Sequence, residues 1–131
     1  MGATRARALT LDAGALIAFE RGDERVRALL RRALSTKADV AIPAGALAQS
    51  WRDGTRQANL ASLVGDQRVR VEAMTEQVAK AAGTLCARTG TQDVIDASVV
   101  LCARRQEHGV VITGDPNDIR RLDPRVAVES V

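Results

Sequence analysis

At 131 residues the chain is long enough to bury well over half of its unfolded surface, so it needs no disulfide staples. One Phe, one Trp and no Tyr exclude an aromatic platform that stacks single-stranded bases, and the positive charge behind the formal +3 is nearly all arginine, some of it in pairs (Arg31-Arg32, Arg104-Arg105, Arg120-Arg121) that suit exposed helix faces or phosphates. No apolar run approaches the roughly 20 residues that span a bilayer and residues 1–10 carry no apolar signal-peptide core, so a soluble, cytoplasmic protein with no membrane partner is expected.

Ala8 to Leu11 reads as a short buried strand, and Ala13 to Glu20 as a helix stopping near Gly22, with Asp12 at the junction. From Glu24, Val26, Leu29, Leu30, Ala33 and Leu34 recur at helical spacing opposite Arg25, Arg27, Arg31 and Arg32, an amphipathic helix with a basic outer face. Val40 to Ile42 is a second strand. Pro43 starts a helix expected to run to about Asp53, and Arg56 to Val64 is a further short helix ending at Gly65.

Val69 to Val71 is a third strand, and Thr75 caps a helix that ends before Gly90. A more apolar helix follows from Val94 to about Gln106. Val110 to Ile112 is a strand, Pro116 to Leu122 a helix begun by proline, and Val126 to Val128 a last strand. Strands alternating with helices predict an α/β fold: a three-layer sandwich around a mostly parallel sheet of about four or five strands, one domain spanning 1–131. Cys86 and Cys102 lie in apolar helices with no partner at metal-ligand spacing and read as reduced core thiols.

Asp12 and Asp115 each follow a strand, on the edge where such sheets bind ligands. Each has an ordinary explanation as a helix cap, as do Asp93 and Asp118 in their first turns. Asp96 has none. Its neighbours Val94, Ile95, Ala97, Val99 and Val100 make the helix apolar nearly all round, and a buried carboxylate needs a partner or a metal. Like charges about 4 Å apart repel by roughly 4 kcal/mol even at an effective dielectric near 20, so acids converging on one edge call for a cation. His108, beside a helix end, is expected to interact with the helix dipole rather than to catalyse.

Three segments then carry a family resemblance: Leu11-Asp12-Ala13-Gly14-Ala15-Leu16-Ile17-Ala18, Asp93-Val94-Ile95-Asp96-Ala97-Ser98-Val99-Val100, and Val111-Ile112-Thr113-Gly114-Asp115-Pro116-Asn117-Asp118. In this order and spacing they resemble PIN-domain nucleases, specifically VapC toxins of bacterial toxin–antitoxin pairs, over essentially the whole chain. The resemblance implies a PIN-like fold and an endoribonuclease in which Asp12, Asp96 and Asp115 hold Mg²⁺ or Mn²⁺, Asp93 or Asp118 assists and Thr113 orients Asp115. Hard oxygen ligands suit those cations. It also implies an RNA substrate, a small VapB-like antitoxin and a homodimer.

One position departs from the pattern. Where VapC-like chains carry Glu in the helix after the second strand, this one has Gln49, which leaves open a one-metal or two-metal site and weakens metal affinity. Asp53, at i+4 on the expected helix, is a candidate to compensate. A PIN-like module that binds RNA or protein without turnover is the alternative. A phospho-receiver domain fits poorly: Asp12 stands alone after the first strand, the third leads to Glu72, and no Lys follows Lys80.

Overall fold

In the computed structural model the described residues are 7–107 and 109–131; His108 lies outside them. Five short strands, β1 (Leu9–Leu11), β2 (Val40–Pro43), β3 (Val69–Glu72), β4 (Val110–Thr113) and β5 (Ala127–Ser130), pair in the order β3-β2-β1-β4-β5. Every pairing is parallel. Each residue of β1, β2 and β4 is buried, as expected of strands covered on both faces.

Among the described residues seven helices connect them: α1 (Ala13–Glu20), α2 (Glu24–Ser35), α3 (Ala44–Ser50), α4 (Ala58–Gly65), α5 (Glu76–Thr89), α6 (Val94–Arg104) and α7 (Pro116–Leu122). The right-handed crossover rule sends α1 to α4 to one face and α5 to α7 to the other. The packing agrees, since α1 touches α2, α3 and α4 while α6 touches α5 and α7. Leu11, Leu16, Ile42, Leu60, Val99, Val100, Ile112 and Ile119 fill the core between them. Among the described residues, no helix is long and apolar enough to cross a membrane.

The chain moves outward from β1 through β2 to β3, then returns to the other side of β1 to lay down β4 and β5. The order therefore reverses between β1 and β4, and the crevice beyond the carboxyl ends there is where open α/β sheets bind ligands. Leu11 pairs with Ile112, and Asp12 N donates to Ile112 O at 3.1 Å, so the two strands end level.

Local chemistry sets most boundaries where the sequence puts them. Gly22 and Gly90, with φ of 86° and 71°, end α1 and α5, and Asp23 caps α2 by accepting from Val26 N at 3.0 Å. The sheet is wholly rather than mostly parallel, and α3 is shorter than expected. It stops at Ser50, where Trp51 turns extended and the Gln57 side chain takes over: its Nε2 donates to Ser50 O, and its Oε1 accepts from Arg52 N and Asp53 N. The next helix starts at Ala58, not Arg56, because Asp53 O accepts from Arg56 N and Gln57 N in the intervening turn. Cys86 and Cys102 are buried and unbridged.

Candidate active site

Asp12 leaves β1 as the N-cap of α1, accepting from Ala15 N at 2.9 Å, and is buried. Burial raises its pKa; hydrogen bonds from the Thr113 hydroxyl and from the amides of Ala15, Gly114 and Gly14 oppose the rise by favouring the charged form. Thr113, the buried last residue of β4, works in two directions. Its hydroxyl serves Asp12 and also accepts from Asp115 N at 2.8 Å, so one side chain ties both strand-end acids together.

The loops that carry them also touch directly. A Cβ on Gly14 would stand 2.8 Å from Gly114 Cα and N, a contact only two glycines permit. Asp115 caps α7 with Pro116 at its first position, accepting from Asp118 N at 3.4 Å.

The third element is α6, whose N-cap Asp93 accepts from Asp96 N at 2.9 Å. Asp96, one turn in and partly buried, has its carboxyl pushed up to about 7, first by burial and then by the charges of Asp93 and Asp12, with smaller contributions from an Asp93 hydrogen bond and Asp118. Asp118 is also raised, chiefly by its hydrogen bond to Asp115 and that residue's charge, with Arg121 pulling the other way. Five acids from three elements thus meet at the β1/β4 reversal.

The sequence matches no protein-family model and no curated protein. In three dimensions the chain is similar to one in the crystal structure of VapBC2 from Rickettsia felis bound to a DNA fragment from their promoter. The TM-score is 0.66 over 95% of this chain and 98% of that one, at 14% identity. The fold is PIN-like.

Within this PIN-like fold the auxiliary candidates part company. Gln49 is an exposed residue of α3, one turn beyond Gly45, where a Cβ would stand 2.6 Å from Ile95 of α6; its side chain carries an amide and no charge. Asp53 does not join the site. It lies past the end of α3, exposed, its carboxylate accepting from Thr55 N and Thr55 Oγ1 at 2.9 and 2.7 Å and pairing with Arg56. Those Thr55 bonds hold its pKa below the usual range. The expected i+4 relation to Gln49 does not form because α3 ends three residues before Asp53, at Ser50.

Among the described residues, no three His, Cys, Asp or Glu side chains form a ready-made metal site. What the cluster offers a cation is its donor chemistry: carboxylate oxygens suited to a hard divalent ion, and negative charge that burial leaves under-compensated at Asp96. Sequence reasoning missed the Gly14–Gly114 contact and the second role of Thr113. Glycine after each strand-end motif was the only signal for the first; the second had none, because it joins residues 101 positions apart.

Proposed function

We propose that the chain is a metal-dependent endoribonuclease of the VapC type, in which Asp12, Asp96 and Asp115 hold Mg²⁺ or Mn²⁺, with Asp93 and Asp118 assisting. The observation that carries this reading is the sharing of one electrostatic field by Asp12, Asp93, Asp96 and Asp118 at the sheet's topological switch point. When bound, a divalent cation supplies an activated water and stabilises charge developing on the phosphodiester. The chain's own residues do the positioning. Thr113 and the N-terminal amides of α1 orient Asp12, and the Thr113 hydroxyl fixes the backbone that presents Asp115. No side-chain nucleophile is proposed.

The likeness to VapBC2 supports an antitoxin partner, and a basic tail would complement the acidic pocket. Homodimerisation and a cytoplasmic setting belong to the same proposal. One observation favours a second reading, a PIN-like module without turnover: Gln49 brings no charge to the site.

Incubating purified protein with a panel of tRNAs and structured RNAs, with Mn²⁺ or with EDTA, separates the two. Cleavage that needs metal and disappears in Asp12→Asn supports the enzyme. RNA or protein binding unaccompanied by cleavage in both conditions supports the module, and RNA cleavage that persists in EDTA and in Asp12→Asn overturns the metal-dependent reading.

A further inference from the structure

Beside the acids lies a cavity of about 300 Å³, lined by Thr91, Gln92, Asp93, Asp96, Asp118 and Arg121 among others. Its volume is at the low end for a small-ligand site. Part of its lining is the acid cluster; the rest comes from the turn between α5 and α6 and from the later residues of α7.

Two features of that second part are unspent. The Thr91 hydroxyl oxygen is closed off from solvent with no hydrogen-bond partner among the described residues, an unpaired polar atom in the wall of the cavity. Among the described residues, Arg121 is the one cation in the lining. Two other arginines of this half of the molecule are engaged, Arg104 with Asp123 at 2.9 Å and Arg105 with Glu72, but neither lines the cavity. Arg121 makes no hydrogen bond or ion pair among the described residues; only its field reaches Asp118.

We infer that this cavity is the subsite for the nucleotide adjoining the scissile linkage, with the Arg121 guanidinium pairing with its phosphate and the Gln92 amide meeting its polar edges. The inference rests on the ribonuclease reading. Its physical basis is charge placement. An RNA strand must bring phosphates up to a row of carboxylates, and a planar fork of donors beside that row suits a phosphate better than any other group present. Arg121 is exposed on α7, so its replacement leaves the fold intact.

The test uses uridine 5′-monophosphate and uridine as probes, titrated into the full ¹⁵N-labelled chain with Mg²⁺ and with EDTA. Wild type should show amide shifts at Thr91, Gln92 and Asp93. Arg121→Ala should weaken the monophosphate about ten-fold or more, as expected for loss of a charge-assisted contact, and Arg121→Lys should restore part of it. Uridine, lacking the phosphate, should bind both proteins alike, which a merely structural role would not produce. Equal monophosphate affinity in wild type and Arg121→Ala, or shifts confined to another face, would overturn the inference. The ribonuclease reading stands or falls separately, on whether metal-dependent cleavage is lost in Asp12→Asn.

Discussion

Asp96 concentrates the conflict in this site, because the apolar helix that carries it also brings it to Asp93 and Asp12. Its carboxyl is raised from 3.8 to about 7 by burial and by those two charges. Across that window the folded chain keeps a proton that the unfolded chain has released, so this group costs stability as pH rises from about 4 to about 7. In EDTA, Asp96→Asn should be more stable than wild type at pH 8 by on the order of 1–2 kcal/mol, a figure reduced for solvent screening of a part-exposed side chain, and little different at pH 4. Urea unfolding at the two pH values measures it, and equal stabilities at pH 8 would refute the repulsion. This residue was legible in the sequence because capping could not account for it. Asp12, Asp93 and Asp115 were ambiguous there, and the structure shows why: each is a helix cap and a member of the cluster at once.

Helix α1 and the turn before α7 meet through Gly14 and Gly114, and that contact sets how closely their acids approach. Gly14→Ala forces backbone apart, since the new methyl would sit 2.8 Å from Gly114 atoms, and should destabilise by about 1–3 kcal/mol. The same change at Gly83, in the middle of α5, where an added methyl would meet nothing within 4 Å, should stabilise by about 0.5–1 kcal/mol through helix propensity. Denaturant midpoints of the two variants should therefore move in opposite directions; a parallel shift would discount the loop contact. Nearly every element was readable from hydrophobic spacing, caps and glycine stops. The end of α3 was not, because a side chain seven residues away, Gln57, terminates it.

The five-stranded order brings all the acid-bearing turns that matter to one edge, with β1 and β4 adjacent although about a hundred residues separate them. If that edge holds a divalent cation, Mg²⁺ or Mn²⁺ should raise the melting temperature, by less in Asp96→Asn, and the gain should be larger at pH 8 than at pH 6 because Asp96 must lose its proton to act as a ligand. Differential scanning fluorimetry with metal and with EDTA reads this directly, and no metal-dependent shift at either pH would remove the site.

Alternating apolar runs and turn residues were enough to imply a parallel α/β sheet with acids after its first and fourth strands, since both periodicity and capping are local properties of the chain. Which acids share a field, that Thr113 serves Asp12 as well as Asp115, that Asp53 is left outside and that Arg121 lines the same cavity were decided only by packing. Those relations join residues distant in sequence, and the contacts that create them, two glycine backbones and an early helix end among them, leave no periodic trace.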